Sequence, residues 1–207
     1  MSLVSIKLND YLEKAGIDET EKLISSFFCS RDEDVDYFIH EKAIPFEYSD
    51  HSRTTLLCWL DEEKNELELI AYFAIAGQVF YLDRLSATLQ KKIRGNGVKK
   101  SSNSIPAFLI GQIGKNDRAT YPIGSEVLFN EIFKSVQEIN KYLPSRLIYL
   151  HCKDIPKLRN IYESKGFQLL VDVEGNPILY EGAKEEYLIY IMSMKELNRI
   201  LSENEKQ

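Results

Sequence analysis

The chain has 207 residues, 44% of them hydrophobic, and a formal net charge of -6. This is enough apolar material for one sizeable core, and the acidic balance argues weakly against a general nucleic-acid binder while leaving room for local basic patches. Cys29, Cys58 and Cys152 are widely spaced and form no metal-ligand pattern, which predicts a reduced cytoplasmic protein without a metal site. The opening MSLVSIKLND has no basic segment followed by a long apolar one, and no run reaches the roughly 18 apolar residues of a membrane span. Neither a signal peptide nor membrane attachment is expected.

Leu3 to Leu8 alternates as a first strand, with Val4, Ile6 and Leu8 on one face. Asp18 with Glu21, and then Ser30 with Glu33, have the spacing of capping boxes. They predict two short helices, the second ending before Pro45. Thr54 to Leu60 and Leu67 to Ala76 read as two strands joined by the charged turn Asp61 to Asn65. Ala71 to Ala76 is nearly all apolar, so the second of these strands is expected to be covered on both faces.

From about Gln78 to Ser104 the composition changes. Arg84, Lys91, Lys92, Arg94, Lys99 and Lys100 stand against the single acid Asp83, and glycine, asparagine and serine break the pattern. This reads as a basic insertion with a short helix near Ser86 to Ile93. It is either a landing strip for phosphates of RNA or coenzyme, or a solvated surface loop. Ile105 to Ile113 is the next apolar strand, with Gly111 and Gly114 at its end, where glycine marks a bulge or a close backbone approach. Gly124-Ser125 opens the clearest amphipathic helix, with Leu128, Ile132, Val136, Ile139 and Leu143 on one face and Pro144 beyond it. Arg146 to Cys152 follows as a strand. This strand–helix–strand unit predicts a parallel pair with a right-handed crossover.

The stretch RLIYLHCKDIPKLRNIYESKGF, Arg146 to Phe167, carries the most information. After its strand, Asp154 offers a helix N-cap and Pro156 sits in the first turn. Leu158, Ile161 and Tyr162 make an apolar face, and Gly166 is placed to end the helix in a left-handed turn. Phe167 to Asp172 and Glu186 to Met194 then read as strands around Glu174 to Pro177, with a last short helix near Lys195 to Leu201. Strand, helix, Tyr-x-x-x-Gly-Phe and strand resemble the C-terminal half of the GNAT N-acetyltransferase superfamily, and the order of elements matches that family across nearly the whole chain. The resemblance implies an α/β (α+β) domain spanning 1–207, with the basic insertion at about 78–104. Its mixed sheet would have about seven strands, a splayed parallel pair and about four flanking helices.

The resemblance also implies a chemistry: transfer of an acetyl group from acetyl-coenzyme A to a primary amine. Tyr162 matches the tyrosine that lies beside the coenzyme sulfur and protonates the departing thiolate. Gln112, Ile113 and Gly114 match the strand end that runs along the pantetheine arm. The pyrophosphate loop of the family, Gln/Arg-x-x-Gly-x-Gly/Ala, is represented here by Ala119-Thr120-Tyr121-Pro122-Ile123-Gly124. Only its last glycine matches, so the anion would fall to Ile123, Gly124 and Ser125 at the helix N-terminus, with Arg118 and Lys115 nearby. Where many members carry asparagine, seven residues before the tyrosine, this chain has Ile155. For the base, His151 at a strand end can exchange protons near neutral pH; a packed strand-end histidine and a water chain are the alternatives.

Phe27-x-Cys29 and Phe38-Ile39 to Ala43 are similar to the N-terminal region of GNAT toxins that acetylate aminoacyl-tRNA, and with the basic insertion they imply an RNA contact. The same spacing also serves simply to pack helices on a sheet. A non-catalytic module of this fold, binding acyl-coenzyme A or a protein partner, is the rival from another class. All three readings are compatible with a homodimer.

Overall fold

The computed structural model describes residues 1–95, 102–182 and 185–204, so Lys99 and Lys100 of the basic segment lie outside the described residues. The elements in chain order begin with β1 (Ser2–Lys7), α1 (Leu8–Ala15), α2 (Ile17–Ser25) and α3 (Glu33–Tyr37). A π-helical turn (Phe38–Lys42) leads into α4 (Ala43–Tyr48), followed by β2 (Arg53–Asp61), β3 (Glu66–Tyr81), α5 (Ala87–Arg94) and β4 (Ser104–Lys115). Next come α6 (Ser125–Tyr142), β5 (Leu147–Cys152), α7 (Pro156–Ser164), β6 (Gln168–Leu169), β7 (Leu179–Glu181), β8 (Glu186–Ser193) and α8 (Met194–Asn204). The sheet is mixed, in the order β1-β2-β3-β4-β5-β8-β6, with β7 also on β8. The chain divides into two compact units, Met1–Ala76 with Gly111–Glu131, and Gly77–Ile110 with Ile132–Gln207.

In the first unit β1, β2 and β3 form an antiparallel meander, with a bulge between Leu57 and Cys58. The predicted turn between β2 and β3 forms: Asp61 Oδ1 accepts from the Glu63 and Lys64 amides, and Asn65 takes a left-handed φ of 53°. Leu69 to Ile75 is buried without interruption, as its apolar composition requires. The helices differ from expectation at their starts. Leu8 opens α1 instead of closing β1, because Leu8 and Leu12 share one helical face in the core. Gly16, at φ 82°, both ends α1 and precedes α2, so Asp18 and Glu21 form no capping box. Asp32, not Ser30, caps α3, accepting from the Asp34 amide. Pro45 lies in the first turn of α4 instead of beyond the helix. The Ala43 amide reaches back to Phe38 O across the π turn, and this wider turn carries the helix past the proline.

Tyr72 is the centre of this core. Its ring meets Phe27 edge-on at 5.1 Å and stacks on Phe38 at 6.1 Å, while its hydroxyl donates to Val35 O at 2.6 Å. Of the positions of the N-terminal resemblance, Phe27, Phe38, Ile39 and Ala43 are buried here and Cys29 is half-buried. Gly114 belongs to the same packing. A Cβ added to it would lie 2.6 Å from Tyr72, 2.8 Å from Val35 and 2.9 Å from Phe27. Its glycine is therefore a requirement of the core.

In the second unit β4 and β5 are parallel, in register from Phe108 with Ile148 to Ile110 with Leu150, as the crossover predicted. β5 and β8 pair antiparallel from Leu147 with Ser193 to Cys152 with Leu188. The expected Phe167 to Asp172 strand is only two residues long. Beyond it the chain turns at Asp172, whose carboxylate accepts from the Glu174 and Asn176 amides, and returns through the unforeseen β7. α6 buries Leu128, Phe129, Ile132, Phe133 and Val136, but it ends at Tyr142 and leaves Leu143 56% exposed.

The described residues of the basic segment are ordered by the fold. β3 runs on to Tyr81, Ser86 caps α5 through the Leu89 amide, and Arg94 is buried, donating to Ser102 O and Gln90 Oε1. Arg84 donates to Leu179 O. Only Lys91 and Lys92 of the described cations on α5 are exposed.

Candidate functional site

The predicted coenzyme residues of the first unit lie on the end of β4, the loop after it and the start of α6. Gln112 and Ile113 are half-buried in β4, and Gly111 is exposed, with Ala74 O at 4.0 Å as the nearest atom to an added Cβ. Of the two strand glycines, Gly111 is therefore the one with an open side. Arg118 stacks its guanidinium over the Phe28 ring at 4.5 Å, and Lys115 Nζ donates to Ile123 O at 2.9 Å. Ile123 is buried, Gly124 is exposed, and Ser125 begins the helix. An added Cβ at Gly124 would meet nothing nearer than the Glu126 amide at 4.0 Å, so its backbone is open to an anion. Pro122 contributes no N–H to this turn.

Residues that sequence reasoning missed hold this loop in place. Asn116 is 4% exposed, yet its side chain is fully used. Oδ1 accepts from the Phe28 and Arg118 amides at 3.1 and 3.0 Å, and Nδ2 donates to Ser26 O and Leu69 O at 3.2 and 2.7 Å. Asp117 accepts from the Ser30 hydroxyl and amide and from Arg31, and these partners, Ser30 first, lower its pKa to about 2. Further along, the Thr120 amide donates to Glu68 Oε1 at 2.6 Å, and Trp59 Nε1 donates to Tyr121 O at 2.7 Å. The only sequence signal was Asn116-Asp117, a turn-forming pair just after a strand.

In the second unit the helix carrying Tyr162 ends as its glycine predicted. Gly166 has φ 89°, its amide donates to Glu163 O, and the Phe167 amide donates to Tyr162 O at 3.1 Å. This is the paired-bond Schellman closure. A Cβ on Gly166 would lie 2.8 Å from Ile200. The start differs: Ile155 occupies the N-cap, and Asp154 instead pairs with Arg159 through two bonds of 2.6 Å. Leu158, Ile161 and Tyr162 are half-buried. The Tyr162 ring lies 6.2 Å from Phe167 and 5.9 Å from Tyr190. Tyr190 is fully buried and donates to Glu163 Oε1 at 2.9 Å; burial, then that carboxylate, raise its pKa, so it stays a neutral phenol.

His151 sits at the end of β5, stacked on Tyr180 at 4.0 Å and edge-on to Tyr149 at 5.5 Å. Burial lowers its pKa to about 4, so the ring is uncharged at neutral pH and is a weak base toward an ammonium ion. Phe28, Cys29, Ser30, Asp36, Tyr37 and His40, with Glu33 and Glu41, line an open cleft of about 500 Å³ in the first unit. Its carboxylates disfavour phosphate. Among the described residues no cluster of His, Cys, Asp or Glu could hold a metal, and no helix is long and apolar enough to cross a membrane.

The chain has the GNAT acetyltransferase fold. It is similar to KacT, solved as a tyrosine-to-phenylalanine variant, with a TM-score of 0.69 and 18% identity over 97% of this chain and 99% of that one. It is also similar to AtaT complexed with acetyl-methionyl-tRNAfMet, with a TM-score of 0.66 and 17% identity over 96% and 99%. The AtaTR complex bound with acetyl-coenzyme A matches with a TM-score of 0.62 and 15% identity over 96% and 97%. No family model and no curated protein matches the sequence.

Proposed function

We propose that this protein is an acetyl-coenzyme A-dependent N-acetyltransferase acting on a primary amine. The observation that carries the reading is the match, over nearly the full length of both chains, to a fold solved with acetyl-coenzyme A bound. Two features, each within its own unit, support the reading: the α6 N-terminus has an open backbone at Gly124, and α7 carries a tyrosine held by the Gly166 closure. When bound, acetyl-coenzyme A supplies a thioester whose carbonyl carbon accepts the amine and whose thiolate leaves with a proton. Tyr162 donates that proton. The amides of Ile123, Gly124 and Ser125 bind the pyrophosphate, and Gln112, Ile113 and Gly114 follow the pantetheine arm through the backbone. Arg118 adds positive charge beside the loop. His151, neutral in its aromatic setting, or water takes the nitrogen's proton after the uncharged amine has attacked the carbonyl and its nitrogen has become cationic.

Acetyl-coenzyme A at ~100 times its dissociation constant is expected to stabilise the fold by about 2.7 kcal/mol. A thermal melt reads this directly. A folded sample with no shift at millimolar ligand supports the non-catalytic module instead.

A second reading narrows the acceptor to an aminoacyl-tRNA, favoured by the likeness to AtaT solved with acetyl-methionyl-tRNAfMet. Among the described cations of α5, Lys91 and Lys92 are the ones available to RNA, because Arg94 is committed to the fold. Replacing both lysines by serine is expected to weaken tRNA binding and to reduce its salt dependence by about two counterions. Wild-type protein whose tRNA binding is absent or insensitive to salt would end this reading.

A further inference from the structure

The loop before α6 carries Pro122 where the resemblance would place the first of two glycines, yet it is fastened from behind by side chains. Lys115, the last residue of β4, donates to Ile123 O at 2.9 Å. No peptide bond in the described residues is cis. In a trans peptide the N–H points opposite to the C=O, so drawing Ile123 O toward Lys115 turns the Gly124 N–H the other way. Trp59 on Tyr121 O and Glu68 on the Thr120 amide fix the preceding peptides. The first internal bond of α6, Leu128 N–H to Gly124 O at 3.3 Å, fixes the next.

We propose that Lys115 is a positioning residue for anion recognition: its ammonium sets the Ile123–Gly124 peptide so that the Gly124 amide faces the ligand. It thereby takes over the work of the loop glycine that Pro122 replaces. This rests on the reading that the α6 N-terminus binds the pyrophosphate of acetyl-coenzyme A. Lys115 acts through the backbone in this assignment, and the ligand meets the Gly124 amide.

The test uses the full chain and the variants Lys115→Met and Lys115→Arg, with acetyl-coenzyme A and S-acetylpantetheine as probes, the latter lacking the pyrophosphate. Lys115→Met is expected to shift the Gly124 amide resonance in ligand-free protein. It should also weaken acetyl-coenzyme A binding about tenfold, the size of one charge-assisted hydrogen bond, and leave S-acetylpantetheine affinity within about twofold. Lys115→Arg keeps a cationic donor and should retain most of the affinity. Should the Met variant not fold, Lys115→Gln is measured in its place. Unchanged acetyl-coenzyme A affinity in a folded variant overturns the proposal. Weakened affinity with an unmoved Gly124 resonance also overturns it, since Lys115 would then act on the ligand by charge alone. Equal wild-type affinity for the two probes has a separate meaning: the pyrophosphate reading itself fails.

Discussion

Tyr162→Phe is expected to fold as the wild type, bind acetyl-coenzyme A almost unchanged, and turn over an amine acceptor at least ~10-fold more slowly. A positioned proton donor contributes about 10²–10⁴-fold, and the lower figure is the cautious edge of that effect. The substitution keeps the ring contacts with Phe167 and Tyr190 and leaves the Phe167 amide bonded to the main-chain carbonyl of residue 162. Only the hydroxyl is lost. If that hydroxyl serves structure alone, the variant instead loses roughly 1–3 kcal/mol of stability through its orphaned partner, and the rate per folded molecule holds. Tyr190→Phe is the matching control, because the Tyr190 hydroxyl is spent on Glu163. The measurement is turnover normalised to folded protein, beside a melting curve. Full activity in a folded Phe variant removes Tyr162 from the mechanism.

The parts of the fold legible in the sequence are those with a strong local pattern. β3 announced itself by an unbroken apolar run, α6 by its spacing, and the end of α7 by Gly166, whose left-handed turn few other residues adopt. What escaped was set by tertiary contacts. α1 has only Leu8 and Leu12 buried, too short a pattern to register. Ser30 and Asp154 looked like caps, but each found a better partner elsewhere, in Asp117 and Arg159. β7 owes its existence to pairing with β8. The candidate site divides the same way. Tyr162 and Gly124 carry motif signals, whereas nothing in the sequence showed that packing against Tyr72, Val35 and Phe27 leaves no room for a side chain at Gly114. Arg94 looked like a free cation and proved to be buried. Charge and glycine are ambiguous in one dimension, because their meaning depends on what the fold brings beside them.

Asn116→Ala should be the most destabilising single change in the loop that carries the proposed coenzyme amides. Four hydrogen bonds converge on this 4% exposed side chain, and their partners are main-chain groups of Ser26, Phe28, Leu69 and Arg118. Truncation leaves two N–H and two C=O groups without that partner, each worth about 1–3 kcal/mol where water cannot reach it. Leu69 is fully buried; Arg118 is exposed and its amide is open to hydration. A total of about 3–4 kcal/mol follows, which for a chain of this size lowers the melting temperature by roughly 10 °C. Asn116→Leu separates the causes. It restores the side-chain volume but none of the hydrogen bonds, so an equal loss in Leu and Ala assigns the effect to polar satisfaction, and a rescue by Leu assigns it to the cavity. Because Asn116 ties Ser26 and Phe28 to the same loop, the Ala variant should also bind acetyl-coenzyme A more weakly than its residual stability alone explains. A melting temperature within about 2 °C of wild type would show that the loop is held by Asp117, Glu68 and Trp59 without it.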